Sequence, residues 1–319
     1  MTAGLKRCMK DALAGVTARL LPVGLMRDKR YFDLWQQRGF HVTVNHFYEP
    51  VPDTRLLASD MFGRERMPAG IDMNEDRQLA LLEDFARRFR LEYDQFPERL
   101  RSGNGFYLRN NAFEEVDAEI LYCMVRSARP KRIIEIGSGF STMLMAQAIE
   151  QNSRGGGHAC RLTSIDPFPN KLLCANAGCT NLIRKPVQKV DPALFELLGE
   201  NDLLFIDSSH VLKIGSDVHF EFLEILPRLR PGVLVHIHDI FIPREYPEQW
   251  IRNNRWFWSE QYLLEAFLAF NRAFEVVWAG RYMHLRHSQA LGAAFRSYQP
   301  ANGLSERSWP ASFWIRRVC

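Results

Sequence analysis

Four polar side chains stand at the ends of two apolar runs, and their types suit proton transfer or metal binding. Asp207 and His210 follow the first run, and His238 and Asp239 follow the second. Apolar runs of this length predict buried parallel strands, whose carboxyl ends meet at one edge of a sheet. An imidazole titrates near neutral pH, so it can accept a proton from a substrate. Carboxylates beside it can orient the ring or hold a cation.

An earlier apolar run, residues 132–136, leads into Gly137, Ser138 and Gly139 and then into a helical pattern. The two glycines allow a sharp turn and a close approach of the backbone to a ligand. The helix that follows directs its free N–H groups at the same place. This pattern predicts a nucleotide-type pocket. The dinucleotide fingerprint requires a third glycine, and Thr142 occupies that position.

Two acids flank the glycine turn in the predicted sheet. Glu135 lies in the run before the turn, where a carboxylate would repel a pyrophosphate but suits a ligand with an amino group and a sulfonium charge. Asp166 ends the next run, where an acid accepts hydrogen bonds from the two hydroxyls of an adenosine ribose. We expect the cofactor-binding residues to be Glu135, Gly137, Ser138, Gly139, Asp166 and Asp207.

Apolar runs alternate with helical patterns through the second two thirds of the chain. Strands are predicted at residues 132–136, 161–166, 181–184, 202–207, 233–239, 274–278 and 312–317, and helices at 117–128, 217–229 and 262–270. Strands that alternate with helices in this way predict a parallel α/β sheet with helices on both faces.

The acid of the first strand followed by Gly-x-Gly resembles the first motif of the class I S-adenosylmethionine-dependent methyltransferases. The resemblance covers residues 115–285 well and the rest of the tail loosely. It implies a Rossmann-like, doubly wound sheet of about seven strands, mostly parallel, with a reversed edge strand. It also implies S-adenosyl-L-methionine as the cofactor.

The residues after the fourth and fifth strands look like those of cation-dependent O-methyltransferases. That resemblance implies Asp207 and Asp239 as magnesium ligands and His210 as the general base. This chain has His238 where that family usually has a carboxylate or an amide, and magnesium prefers oxygen ligands. Two interpretations stay open: a metal site of Asp207, His238 and Asp239, or a metal-free His/Asp site, which we favour slightly. His236 is expected to fill its strand, outside the site.

The predicted reaction is direct methyl transfer to a hydroxyl of a small molecule, a sugar or a secondary metabolite by resemblance. A hydroxyl needs a base or a metal, whereas an amine or a thiol is already nucleophilic. Two other classes are considered. A nicotinamide-dependent oxidoreductase shares this sheet type, and a non-catalytic homologue would keep the glycine turn to bind the cofactor. The second would have no need for the four polar side chains to converge.

The remaining features describe an ordinary globular protein. A net charge of +4, spread along the chain, makes no case for a nucleic-acid partner. The six cysteines include no C-x-x-C pair, which predicts reduced thiols in a cytoplasmic protein. No apolar run reaches the length needed to span a membrane, so no transmembrane segment is expected.

Residues 1–115 are predicted to form an N-terminal extension of helices and a proline-rich loop, and residues 116–319 the methyltransferase domain. The extension is expected to cover the acceptor or to pair subunits in a homo-oligomer. Its first residues are basic and amphipathic but lack the continuous apolar core of a signal peptide. For this stretch we favour packing on the domain or on a partner subunit over attachment to a membrane surface.

Overall fold

The computed structural model describes residues 3–100, 105–156, 158–169, 181–299 and 309–319. They form two compact units, Met1–Leu57 and Ala58–Cys319. The boundary at Leu57 differs from the one expected at residue 115, because residues 58–115 contribute Leu82, Phe85 and Phe89 to the core of the second unit. The proposed roles of the extension stay predictions.

The first unit is helical and exposed. It contains helices α1 (Ala3–Leu20), α2 (Val23–Arg27) and α3 (Phe32–Gln37). Every side chain of residues 4–20 is exposed. Among the described residues, no helix combines the length and the apolar character needed to cross a bilayer.

The second unit is built on a seven-stranded sheet with the strand order β3-β2-β1-β4-β5-β7-β6. Its strands are β1 (Arg132–Ile136), β2 (Arg161–Ile165), β3 (Asn181–Ile183), β4 (Leu203–Ile206), β5 (Leu234–Ile237), β6 (Phe274–Ala279) and β7 (Phe313–Arg317). The strands from β3 to β5 pair in parallel, and β7 is antiparallel to both β5 and β6. The predicted Rossmann-like, mostly parallel sheet is confirmed, and the reversed strand lies one place in from the edge.

The central strands are apolar on both faces because helices cover both sides of the sheet. All four residues of β4 and all four of β5 are buried. The chain order reverses between β1 and β4, so the loops after these two strands face each other at one edge of the sheet. In open α/β sheets this reversal is where ligands bind.

The helices of the second unit are α4 (Asp60–Gly63), α5 (Glu75–Tyr93), α6 (Asp117–Ala128), α7 (Phe140–Arg154), α8 (Asp217–Phe220), α9 (Glu248–Arg252), α10 (Glu260–Leu268), α11 (Gly280–Arg286) and α12 (Ser288–Ala294). The prediction for residues 117–128 is confirmed. The single helix predicted at 217–229 is instead a short α-helix, a π-helical turn at Glu221–Ile225 and a 3₁₀ turn at Leu226–Arg228. Pro227 contributes to this change, since it has no N–H to continue the helix.

Four of the six cysteines, Cys8, Cys123, Cys160 and Cys319, are free thiols. The other two, Cys174 and Cys179, lie outside the described residues.

Candidate active site

The glycine turn after β1 is held against the end of β4. Gly137 has a φ of +92°, a backbone conformation that side chains disfavour. A Cβ at Gly137 would lie 2.3 Å from the carbonyl oxygen of Asp207. The N–H of Gly137 donates to the carbonyl of Ile165 at the end of β2 (3.0 Å). Glycine is therefore required here, because the turn brings the loops after three strands into contact.

Glu135 does not line the cavity, which differs from its expected role in binding the cofactor directly. Its carboxylate is fully buried and accepts hydrogen bonds from the hydroxyls of Ser141 (2.7 Å), Thr142 (2.7 Å) and Ser164 (2.5 Å). Burial raises the pKa of Glu135 to about 7, although the three hydroxyl donors act in the opposite direction. Glu135 thus fixes the start of α7 from beneath the loop.

Thr142, at the position of the missing third glycine, has a specific structural role. Its hydroxyl donates to Glu135 and accepts a hydrogen bond from the N–H of Gly139 (3.0 Å). The Thr142 side chain thus holds the glycine turn to β1 through hydrogen bonds. In dinucleotide-binding folds a third glycine at this position instead lets the helix pack closely on the strand.

A cavity of about 760 Å³ opens at the carboxyl edge of the sheet, where the chain order reverses. Its walls come from the loops after β1, β2 and β4, with the segments around Phe113 and Val187. Among the lining residues are Phe113, Gly137, Ser138, Gly139, Phe140, Asp166, Val187, Gln188 and Asp207. Of the expected cofactor-binding residues, all except Glu135 therefore border one cavity. Its volume is in the range of small-molecule sites.

Asp166 is fixed in the wall of this cavity. Its Oδ2 accepts a hydrogen bond from the hydroxyl of Ser138 (2.6 Å), and its Oδ1 accepts one from the N–H of Phe168 (2.8 Å). Each carboxylate oxygen can accept a further hydrogen bond. Asp166 can therefore accept two hydrogen bonds from a ligand while it keeps those from Ser138 and Phe168.

His210 lies at the centre of an acidic cluster beside the cavity. Its Nε2 is 3.3 Å from Oδ1 of Asp207 and 3.5 Å from Oδ2 of Asp239. Its Nδ1 is 2.8 Å from Oε2 of Glu260. The His210 side chain is 7% exposed and that of Asp207 is 37% exposed. Asp207 therefore borders the cavity, and His210 lies behind it under the ring of Trp258, 4.3 Å away between ring centroids.

Two members of this cluster have left-handed backbones. His210 has a φ of +60° and Asp239 a φ of +57°. Residues other than glycine rarely adopt this region, and such strain concentrates at functional sites. These backbone turns direct both side chains toward Asp207 where each strand ends.

Glu260 was not identified from the sequence. It is the first residue of α10, is fully buried, and follows a chain segment that is anchored to His210. The carbonyl of His210 accepts hydrogen bonds from the N–H groups of Ser259 (2.9 Å) and Glu260 (3.2 Å). In the sequence, Glu260 looks like any acid in the first turn of a helix.

Glu221 was also missed. It is buried in the π-helical turn, where its Oε2 accepts a hydrogen bond from the hydroxyl of Ser208 (3.1 Å). Burial and the nearby charge of Glu260 raise the pKa of Glu221 well above its usual range. Glu221 therefore tends to hold a proton behind the loop that follows β4.

The charges of the cluster bias His210 toward the imidazolium form. Burial lowers the pKa of His210, but hydrogen bonds to Asp207 and Glu260 and the charges of Glu260 and Asp239 outweigh it and raise the pKa well above its usual value. Burial raises the pKa of Asp207, yet its hydrogen bond with His210 brings the net shift below the usual range. Burial raises the pKa of Asp239. Asp207 and His210 thus behave as an ion pair.

The two histidines around the end of β5, His236 and His238, have different surroundings. Nε2 of His238 lies 3.9 Å from Oδ1 of Asp239, and its ring packs on Phe113 with centroids 5.0 Å apart. His236 stacks on Phe205 within the sheet, with ring centroids 4.0 Å apart, and burial lowers its pKa well below the usual value. His238 borders the acidic cluster, whereas His236 belongs to the packing of β5.

The donor atoms that converge differ from the metal set suggested by the sequence. Within the described ranges, ligand atoms of Asp207, His210 and Asp239 lie within 4.8 Å of one another, and His238 is not part of this group. Two carboxylates and one imidazole can bind a divalent cation, and a carboxylate on the second nitrogen of the imidazole, as Glu260 provides, is usual for metal-ligating histidines. The donor set is therefore compatible with a cation but does not require one, because His210 already pairs with both acids.

The strand order, the glycine turn and Asp166, which is placed to accept hydrogen bonds from ribose hydroxyls, are the features of the class I methyltransferase fold. Residues 134–240 match the family model described as a methyltransferase domain. An uncharacterised protein of Archaeoglobus fulgidus is 33% identical over 168 residues, which cover 49% of this chain and 73% of the relative. Over residues 134–240, which carry the glycine turn, Asp166 and Asp207, the chain belongs to this methyltransferase domain family.

Solved structures with a similar fold include three methyltransferases. One from Podospora anserina, bound to S-adenosylhomocysteine, has 16% identity, a TM-score of 0.40 and coverage of 75% of this chain and 88% of its own. An O-methyltransferase from Bacillus cereus has 13% identity, a TM-score of 0.37 and coverage of 75% and 91%. A protein from Thermobifida fusca described as a methyltransferase has 16% identity, a TM-score of 0.42 and coverage of 79% and 96%. At this similarity none of them assigns an acceptor or a metal to this chain.

Proposed function

We propose that this methyltransferase transfers a methyl group to a hydroxyl of a small molecule. The observation that carries the proposal is the cluster of Asp207, His210 and Asp239 directly beside the cavity formed by the glycine turn. A methyltransferase that acts on a neutral hydroxyl needs a group that accepts the proton, and this cluster supplies one.

The chemistry of the cavity fits S-adenosylmethionine. Asp166 offers one further acceptor position on each carboxylate oxygen for the ribose hydroxyls. Gly139, where an added Cβ would meet no described atom within 4 Å, leaves the backbone open to close approach. Asp207 adds a negative charge to the lining of the same cavity. When bound, the cofactor would supply an electrophilic methyl group on a sulfonium ion, whose positive charge also disfavours a proton on His210.

We propose that the sulfonium charge of the bound cofactor first makes the resting His210 imidazolium release its proton to solvent. The acceptor hydroxyl then binds against Asp207 and passes its own proton to the neutral His210. Asp207 is the member of the cluster that borders the cavity, and its Oδ1 lies 3.3 Å from Nε2 of His210. Glu260 orients the ring through Nδ1 and stabilises the imidazolium that results. Asp239 adds a second negative charge beside Nε2 of His210, and His238 in turn lies next to Asp239.

The acceptor is proposed to be a sugar or a secondary metabolite. In the segment after β5, the rings of Trp256 and Trp258 stack 5.1 Å apart, and the buried rings of Tyr246 and Trp250 pack behind Trp258. Trp258 also covers His210. Aromatic faces of this kind suit a flat or ring-shaped organic acceptor next to the proposed base.

The metal-bound form of the site is kept as the second candidate. Asp207, Asp239 and His210 would hold the cation, which would supply a positive charge to stabilise an ionised acceptor hydroxyl. Exhaustive treatment with EDTA separates the two forms. Turnover that survives treatment supports the metal-free site, and turnover that is lost and then restored by a divalent cation supports the metal site.

The experiment that tests the proposal is a screen of hydroxylated acceptors, with release of S-adenosylhomocysteine as the readout. We expect turnover with at least one acceptor and its loss in His210→Ala. His219→Ala, which changes an exposed histidine of α8, serves as the matched control. Turnover that is equal in the two variants would exclude His210. Cofactor binding without turnover on any acceptor would favour a non-catalytic homologue.

A further inference from the structure

Helix α1 carries one continuous apolar stripe that is open to solvent. Leu5, Met9, Leu13, Val16 and Leu20 are between 51% and 76% exposed. At 3.6 residues per turn they fall within an arc of about 80° on the helix surface. Exposed Val23 (57%) and Leu25 (41%) continue the apolar surface into α2. An exposed patch of this kind marks an interaction surface, because a free helix face normally avoids so many large apolar side chains.

The charges of α1 are arranged around this stripe. Lys6 and Lys10 fall along one border and Arg19 along the other, on the same helical projection. The helix contains one acid, Asp11, and its position is on the face away from the stripe. Long basic side chains at the borders can keep their charges in a polar layer while the stripe is buried.

The arrangement of charges favours a lipid surface over a second copy of the chain as the partner of the stripe. Two copies packed through their stripes would bring basic borders together, and neither border carries an acid to pair with them. The helix also ends at Leu20, close before Pro22, which leaves too short an apolar repeat for a stable coiled coil. An anionic membrane surface can bury the apolar stripe in lipid and attract the basic residues at its borders to the headgroups.

In place of the packing on the domain or on a partner subunit that the sequence favours, we propose that α1 binds an anionic lipid surface, because its apolar stripe is exposed in the structure. Its axis would lie in the plane of the membrane and its stripe in the lipid. Helices that bind in this way combine an apolar face with basic residues at the polar boundary. The proposal does not depend on the methyl acceptor, and it would place the enzyme beside membrane-associated substrates.

The test is sedimentation of the full chain with vesicles of phosphatidylcholine containing one quarter phosphatidylglycerol, and with vesicles of phosphatidylcholine alone. We expect binding to the anionic vesicles that weakens as salt is raised, and much weaker binding to the neutral vesicles. Replacing both Lys6 and Lys10 by glutamine should lower the affinity for anionic vesicles by about tenfold or more.

Two neighbouring substitutions form the matched pair. Leu13→Asp introduces a charge into the stripe, and Ala14→Asp introduces the same charge on the other side of the helix. We expect Leu13→Asp to bind anionic vesicles at least about tenfold more weakly than Ala14→Asp. Both variants should keep the thermal unfolding midpoint of the unchanged protein, since both positions are exposed.

Equal vesicle binding by Leu13→Asp and Ala14→Asp would overturn the proposal, as would a lack of preference for anionic vesicles. Analytical ultracentrifugation without lipid gives the competing outcome. A dimer that Leu13→Asp dissociates, with no vesicle binding by the unchanged chain, would assign the stripe to a second copy.

Discussion

Replacing Gly137 by alanine should damage both the stability of the second unit and the cofactor cavity. Two costs add at this position. A side chain at a positive φ, here +92°, costs roughly 1–2 kcal/mol. The new Cβ would also lie 2.3 Å from the carbonyl oxygen of Asp207, so the two loops must separate by about 0.7 Å to reach 3.0 Å. Overpacking of this kind costs roughly 1–3 kcal/mol, so the free energy of unfolding should fall by roughly 2–5 kcal/mol.

Gly156 provides the control for this substitution. It has a φ of +75°, and no atom of the described residues lies within 4 Å of the added Cβ, so Gly156→Ala carries the backbone cost alone. Urea unfolding of both variants isolates the contact with Asp207 as the difference between them. Titration with S-adenosylhomocysteine should show weaker binding in Gly137→Ala only. Equal destabilisation by the two variants would refute the close approach of the two loops.

Three further predictions concern the acidic cluster and the buried acid beneath the glycine turn. His210→Ala should lower turnover roughly 100- to 10,000-fold and leave the affinity for S-adenosylhomocysteine unchanged; a comparable loss of affinity would contradict its role in proton transfer. Glu260→Ala should lower turnover at least about tenfold, and Glu260→Gln less, because the amide oxygen can still accept the Nδ1 proton of His210; equal losses would argue against a positioning role. Glu135, with its pKa raised to about 7, contributes stability that is fully present below pH about 4.5 and is lost as the pH rises through 7. Glu135→Gln should therefore remove roughly 2–3 kcal/mol of the difference in unfolding free energy between about pH 5 and about pH 8, as measured by urea unfolding, and an unchanged difference would contradict this.

The sheet was predictable because its central strands are apolar runs that end in polar residues. Such runs predict buried parallel strands, and the convergence of their carboxyl ends brings Asp207, His210 and Asp239 together in the structure. The placement of Asp166 in the cavity wall follows from the same reasoning. These relations depend on where each parallel strand ends, which local patterns encode well.

Contacts that depend on long-range packing were not predictable. Glu260 reaches His210 across 50 residues, and only the path of the segment after β5 brings the two together. Glu135 was expected at the ligand, but three hydroxyl donors from α7 and β2 hold it in the interior. The unit boundary at Leu57 was missed because the apolar face of α5 looks the same whether it packs on an extension or on the sheet.

The measurement that tests the central claim most directly is a calorimetric titration with S-adenosylhomocysteine of the unchanged protein and of Asp166→Asn. Glu150→Gln, which changes an exposed acid on α7, is the matched control. We predict micromolar binding that is at least about tenfold weaker in Asp166→Asn, because hydrogen bonds to a charged acceptor are lost, and unchanged in Glu150→Gln. No heat with S-adenosylhomocysteine, together with heat on titration of NADH, would contradict the account and favour an oxidoreductase.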